Sequence, residues 1–138
     1  VYNLEISRLY GYVFENSQKN YSILYSVDGY DEISLTSDFM KISRNDSTIN
    51  SPDYFGFNKI NPDEIKGGVS IKDSASIFTK ILENKATKSQ TDVVLANSAI
   101  AIQTITNKAI DECLYIAKQS LDSGSALNCL KRIQIISK

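Results

Sequence analysis

The chain has 138 residues, of which 42% are hydrophobic and 22% charged, and its net charge is −1. That length is enough for one domain, and the composition is ordinary for a globular protein. There is no basic surplus to drive nucleic-acid binding, and no apolar run reaches the roughly 20 residues of a membrane helix. The chain has only two cysteines, so we expect a cytoplasmic protein. From the charge balance and the short apolar runs we expect it to bind neither nucleic acid nor membrane.

The sequence contains no histidine. This excludes a Ser-His-Asp or Cys-His mechanism within the chain, and two cysteines alone are a poor ligand set for zinc. The chain begins at Val1 rather than at methionine and enters a helical pattern almost at once. We therefore interpret it as a piece of a longer protein.

The first half of the chain predicts one helix and then strands. Asn3 can cap a helix whose apolar residues recur at spacings of three and four. The apolar run 21–27 predicts a strand buried on both faces, as in a parallel sheet. Further strands are predicted, in chain order, at 33–36, at 40–43 and, after a turn at Asn45-Asp46-Ser47, at 48–50.

The second half predicts helices. One helical turn begins at Asn61-Pro62 and is stopped by Gly67-Gly68, and Asp73 can cap the next helix. The nearly apolar stretch 92–105 predicts a central, closely packed helix. Helices at 109–121 and after Ser123 follow, the last with Ala126, Leu127, Leu130 and Ile133 facing inward. Strands early and helices late indicate an α/β layer capped by a helical bundle.

Two adjacent carboxylates, Asp31 and Glu32, follow the first predicted strand and the turn at Asp28-Gly29. Oxygen ligands of this kind suit Mg²⁺, which also bridges to phosphates. Neighbouring residues of an extended segment point to opposite sides, so both can reach one ion only where the backbone bends. A turn acid followed by an exposed strand-edge acid is the alternative, and spacing alone leaves it open.

Other candidates have structural explanations. Asp111-Glu112 is a second adjacent acid pair, but it falls in the first turn of a predicted helix, where the helix dipole accounts for it. Gly67-Gly68 lacks the spacing of a phosphate loop. Buried amides usually tie elements together, so we expect Asn97 and Gln103 to connect helices. We also expect Cys113 and Cys129 to fill core space.

The chain resembles the C-terminal part of anthranilate phosphoribosyltransferase over essentially its whole length. The resemblance implies the nucleoside phosphorylase-like α/β fold, with residues 1–138 as a single partial domain. It is carried by an ordered set of segments, Asp28-Gly29-Tyr30-Asp31-Glu32-Ile33-Ser34, Ser51-Pro52-Asp53-Tyr54-Phe55-Gly56, Ile65-Lys66-Gly67-Gly68, Asp92-Val93-Val94-Leu95-Ala96-Asn97-Ser98-Ala99 and Ser120-Leu121-Asp122-Ser123-Gly124.

The resemblance also implies a function. It implies a glycosyltransferase that moves phosphoribosyl from phosphoribosyl pyrophosphate to anthranilate in tryptophan biosynthesis. Asp31 and Glu32 match the acid pair that holds Mg²⁺ in that family, and no catalytic side chain is implied here. The family's N-terminal helical domain, Gly-rich pyrophosphate loop and anthranilate-binding arginine have no match. We therefore expect no turnover by this chain alone. For the full-length enzyme the resemblance implies a homodimer. Tyr25-Ser26 departs from the His and small residue that relatives often have there.

Two other functions stay open on the sequence. One is a pyrimidine nucleoside phosphorylase-like enzyme of the same fold, which would use phosphate as the nucleophile. The other is a non-catalytic relative that binds nucleic acid, which would require a basic surface. The acid pair favours the phosphoribosyltransferase, whereas the overall acidic balance disfavours the nucleic-acid binder.

Overall fold

The computed structural model describes residues 1–44 and 46–136, so Asn45 of the predicted turn and the last two residues lie outside the described residues. Within the described residues the strands lie in the first half, after one helix, and four helices make up the second half, as the sequence predicts. In chain order the elements are α1 (Leu4–Glu15), β1 (Ser22–Ser26), β2 (Phe39–Ser43), β3 (Ser47–Asn50), 3-10 turns at Pro52–Phe55 and Pro62–Ile65, α2 (Ile71–Leu82), α3 (Lys88–Thr106), α4 (Ile110–Asp122) and α5 (Ser125–Ile136).

The three strands form an antiparallel sheet in the order β1-β2-β3. The prediction of a parallel sheet was wrong for the part of the chain that the structure describes. A parallel connection usually needs a crossover helix, and the segment from β1 to β2 has none. β1 contacts both α1 and α3, which explains its apolar run without a parallel neighbour.

The strand predicted at 33–36 was also wrong. These residues are buried but irregular, and Leu35 has a φ of 61°, which is incompatible with an extended strand. The strands predicted at 40–43 and 48–50 are confirmed within β2 and β3. Burial without regular pairing therefore produced a false strand signal in the segment before β2.

The main core lies between this irregular segment, the first 3-10 turn and helices α3 and α4. The Phe39 and Phe55 rings stack with centroids 5.4 Å apart. Ala96 and Ala99 are fully buried, and small side chains at such positions allow close helix packing, as predicted for this central helix. The buried members of the cluster are Ile33, Leu35, Phe39, Phe55, Ala96, Ala99, Ile100 and Cys113.

The helix caps were predicted in part. Asn3 caps α1 by accepting a hydrogen bond from the Ile6 amide at 2.9 Å, as expected. Asp73 was the wrong cap for α2, because the Ser70 hydroxyl accepts from the Asp73 amide at 3.1 Å and the helix begins one turn earlier. No helix within residues 1–44 and 46–136 has the length and apolarity needed to cross a bilayer.

The last helix is more exposed than its pattern predicts. α5 packs against α2 and α4, yet it buries none of its residues. Ile133 is 57% exposed and Cys129 is also exposed, so the predictions that these two side chains face the core were wrong. Cys113 is fully buried, which confirms its predicted role as a small core residue.

Candidate functional site

The segment that connects β1 to β2, residues 27–38, combines exposed acidic residues with a run of buried residues. We call it the acidic loop. Asp28, Asp31, Glu32 and Asp38 are exposed, whereas residues 33–37 between them are all buried. The backbone bends at residues 31 and 32 instead of continuing as a strand. The bend removes the geometric objection that adjacent side chains of an extended segment must diverge.

Hydroxyl groups beneath the loop fix the backbone at the acid pair. The buried Ser26 hydroxyl, at the end of β1, donates to the carbonyl oxygen of Glu32 at 2.8 Å. The same hydroxyl accepts from the Ser34 amide at 3.2 Å. Buried hydrogen bonds of this kind hold a loop in one conformation, because breaking them leaves polar groups unsatisfied. Ser26 therefore ties both sides of the bend to the sheet.

Asn97 on α3 fixes the next residue of the loop. Its side-chain oxygen accepts from the Ile33 amide at 3.0 Å, and its side-chain nitrogen donates to the Ile33 carbonyl at 2.8 Å. The same nitrogen donates to the Val93 carbonyl within the helix at 2.9 Å. We expected Asn97 to connect helices, and this was wrong. The amide instead joins a helix to the segment that follows Glu32.

Asp28 takes part in the support of the loop, a role beyond the turn that the sequence indicated. Its carboxylate accepts hydrogen bonds from the Thr36 hydroxyl at 2.5 Å and the Ser37 hydroxyl at 2.7 Å. Partial burial raises the pKa of Asp28, but these two bonds, its own amide and the Lys59 charge together lower the pKa below its usual value. Asp28 is thus held as an anion that orders the far side of the loop.

Leu35 adds strain to the same segment. Its side chain is fully buried in the core while its backbone occupies the left-handed region, with a φ of 61°. Non-glycine residues adopt this conformation at a cost of about 1 kcal/mol or more. The strain persists because the apolar contacts and the surrounding hydroxyls over-determine the backbone. Such local strain is common where a loop presents functional groups.

The side chains of Asp31 and Glu32 take no part in this hydrogen-bond network. Within residues 1–44 and 46–136 no hydrogen bond or ion pair reaches either carboxylate, and only their backbone carbonyls are used, by Val1 and Ser26. Their oxygens are therefore available to an external cation. No group of three or more His, Cys, Asp or Glu side chains that could hold a metal occurs in the described parts of the chain.

This donor set fits a shared Mg²⁺ rather than an enclosed one. Mg²⁺ commonly keeps several waters and binds through one or two carboxylates together with substrate phosphates. Two exposed carboxylates on an anchored bend meet that requirement, whereas an all-protein cage would need more ligands. The residues present are thus compatible with a magnesium ion completed by a phosphorylated ligand.

The remaining candidates behave as structural features. Asp111 and Glu112 lie in the first turn of α4, as predicted, and Glu112 pairs with Lys108. At Gly68 an added Cβ would lie 2.4 Å from the Ser74 amide nitrogen, so this glycine permits close packing against α2. Gln103 accepts from the Lys41 ammonium at 2.6 Å and links α3 to β2 rather than to another helix.

Comparisons with known proteins agree with this arrangement. A family model described as "Glycosyl transferase family, a/b domain" matches residues 1–127. The chain belongs to this glycosyl transferase family. Among curated members, the chain is 44% identical over 138 residues to the anthranilate phosphoribosyltransferase of Christiangramia forsetii, covering 100% of this chain and 42% of that protein. It is also 44% identical over 133 residues to that of Phocaeicola vulgatus, covering 96% and 40%.

Solved structures of family members show the same fold. The anthranilate phosphoribosyltransferase of Saccharomyces cerevisiae, in complex with PRPP and Mg, has a TM-score of 0.84 and is 21% identical. The superposition covers 95% of this chain and 38% of the yeast chain. The chain therefore spans about 40% of the length of the family members that it matches. That this share is the C-terminal part stays a prediction.

Proposed function

We propose that this chain is the Mg²⁺-binding part of an anthranilate phosphoribosyltransferase. The observation that carries the proposal is the 44% identity to a curated enzyme of that name over every residue of the chain. The yeast enzyme of that name, with PRPP and Mg in its structure, supports both the substrate class and the metal. A second yeast structure contains 4-fluoroanthranilate, which supports an aminobenzoate as the acceptor.

In this proposal Asp31 and Glu32 would hold the Mg²⁺ that accompanies the diphosphate of PRPP. When bound, the metal neutralises the negative charge that builds up on the departing diphosphate. The C1–O bond of the ribose breaks and its electron pair leaves with the diphosphate, the amine nitrogen of anthranilate forms the new C1–N bond, and the amine proton passes to water. No nucleophile from the protein is needed, which is consistent with a chain that contains no histidine.

The rest of the acidic loop serves to keep the acid pair in place. Ser26 and Asn97 hold the carbonyl of Glu32 and both backbone groups of Ile33, so the two carboxylates enter the reaction already positioned. Asp28 stays ionised and adds negative potential on the same loop. The protein's contribution is thus preorganisation of the anionic ligands, with little reordering when the substrate arrives.

The other functions considered are not favoured. The family members reported above are named anthranilate phosphoribosyltransferase, and none of these names indicates a nucleoside phosphorylase or a nucleic-acid binder. Tryptophan biosynthesis in the cytoplasm and a full-length homodimer complete the proposal. Because the chain spans about 40% of its relatives, the remaining substrate contacts lie on residues outside it.

The test is steady-state kinetics of the complete protein with PRPP and anthranilate. Asp31→Asn and Glu32→Gln should each lower kcat/KM by about 100-fold, because each removes a charged ligand from the departing group. The control variants Asp111→Asn and Glu112→Gln make the same charge changes on α4 and should leave the rate nearly unchanged. Activity with a nucleoside and phosphate instead of PRPP and anthranilate would contradict the proposal. The 138-residue chain alone should show no turnover.

A further inference from the structure

A polar cavity lies at the end of the sheet opposite the acidic loop. It has a volume of about 330 Å³ and is lined in part by Ser22, Lys41, Ser43, Arg44, Thr104 and Lys108. Ser22 and Ser43 pair with each other at one end of β1 and β2, whereas Ser26 and Phe39 pair beside the acidic loop. Four residue steps separate these two ends, about 13 Å along the strands. We call this space the cationic cavity.

Two of its cations are held by neutral groups. The Lys41 ammonium donates to the side-chain oxygen of Gln103 at 2.6 Å. The Arg44 guanidinium donates to the carbonyl oxygens of Ser17 and Lys19, the latter at 3.0 Å. Within the described residues neither cation forms an ion pair, so both charges are oriented but not neutralised. Lys108 differs, because it pairs with Glu112 on α4.

The hydroxyl groups of Ser22 and Thr104 in the cavity donate their protons within the protein. Thr104 donates to the Ile100 carbonyl at 2.8 Å, so the 2.6 Å contact between Ser22 and Thr104 uses the Ser22 proton. Neither hydroxyl therefore has a proton left for a ligand. The charged donors of the cavity are Lys41, Arg44 and Lys108, and the side chains of Asn20, Tyr21 and Asn107 add neutral donors to its lining. Among the described residues no carboxylate lines the cavity.

We infer that the cationic cavity binds a small anion of the phosphate class, which includes orthophosphate, diphosphate and the phosphate group of a small metabolite. Arginine and lysine bind phosphate oxygens through charge-assisted hydrogen bonds, and a concave site without carboxylates concentrates their potential. The volume is that of about ten liquid waters, which is enough for any of these groups. The inference does not depend on the proposed function, since the acidic loop contributes no residue to the cavity.

The test is calorimetric titration of the 138-residue chain in EDTA, which removes any contribution from metal at the acidic loop. Separate titrations with orthophosphate, diphosphate and ribose 5-phosphate distinguish the sources of the phosphate group. Lys41→Gln and Arg44→Gln should each weaken the tightest of these by about tenfold, the effect of losing one charge-assisted hydrogen bond. Lys41→Arg should retain binding, because it keeps the charge.

The matched control is Lys72→Gln, which removes the same charge from an exposed position on α2. It should leave the affinity within about twofold, because exposed distant charges are screened. Absence of binding by the unchanged chain would overturn the inference, and so would equal weakening by Lys72→Gln. If a cavity variant fails to fold, the deciding measurement is the change in backbone amide chemical shifts of the unchanged chain when the anion is added. Shifts at Ser22, Ser43 and Thr104 support the site, and shifts elsewhere overturn it.

Discussion

The acidic loop has no regular secondary structure, yet residues 33–37 within it are all buried, whereas α5 is a regular helix of 12 residues that buries none of them. The loop is held by Ser26, by Asn97 and by the side chain of Leu35 in the core. α5 has its own backbone hydrogen bonds but few such anchors. The segment that carries the candidate acid pair is thus fixed by contacts beneath its backbone, whereas helical regularity alone does not bury a segment.

The largest expected effect comes from the core anchor of the loop. Leu35→Ala should lower the free energy of unfolding by about 3 kcal/mol, because it removes a fully buried side chain and leaves a cavity. Chemical denaturation of the purified chain measures this. An effect below about 1 kcal/mol would mean that the loop is not tied to the core through this residue.

The amide anchor should come next. Asn97→Leu keeps the approximate size of the side chain but leaves both backbone groups of Ile33 without partners, so it should cost about 2 kcal/mol. Asn128→Leu makes the same change at an exposed position of α5 and should cost far less. Equal losses for the two variants, measured by the same denaturation, would remove the distinction between loop and helix.

The charge of Asp28 should show itself through pH. Its pKa is lowered in the folded chain, so the carboxylate stabilises the fold above the ordinary carboxyl pKa and loses that effect as the pH falls through the lowered value. The stability difference between the unchanged chain and Asp28→Asn should therefore shrink on acidification. Asp38→Asn is the control within the same loop, because its carboxylate receives no hydrogen bond from the described residues. If the stability difference between the unchanged chain and Asp28→Asn stays constant with pH, this role of Asp28 is contradicted.

The smallest effect is expected on α5. Ile135 is 73% exposed, so Ile135→Ala should change the free energy of unfolding by less than about 0.5 kcal/mol. Thermal unfolding of Ile135→Ala and Leu35→Ala side by side would compare the loss of stability in α5 with the loss in the acidic loop. A loss comparable to that of Leu35→Ala would show that α5 is anchored by contacts beyond those described.

Much of this arrangement follows from local sequence signals. Asn3 and the apolar spacing after it predict α1, and Pro62 after Asn61 predicts the second 3-10 turn, because caps and helix starts depend on neighbouring residues. Residues 33–36 misled the prediction, since apolar and β-branched residues indicate burial, and burial resembles a strand when no pairing partner is visible. Sheet direction failed for the same reason, as pairing is a non-local property.

Only the exposed acid pair of the candidate site could be predicted from the sequence. Asp31 and Glu32 are recognisable from the turn before them, but their anchors are not. Asn97 lies 64 residues from Ile33, and nothing near it in the sequence indicates which segment its amide holds. The density of hydroxyl residues after the acid pair, Ser34, Thr36 and Ser37, was the one local signal that could have revealed the network around Asp28.

The most direct test of the account is the location of a divalent cation on the 138-residue chain. Mn²⁺ serves as the probe for Mg²⁺, with inorganic diphosphate present, and the measured quantity is the line broadening of backbone amide signals. Broadening should centre on Asp31 and Glu32 and disappear in Asp31→Asn and Glu32→Gln, while Asp111→Asn leaves it unchanged. Broadening that is equal at the Asp111-Glu112 pair, or that survives loss of Asp31 and Glu32, would contradict the central claim that the anchored acid pair is the metal site.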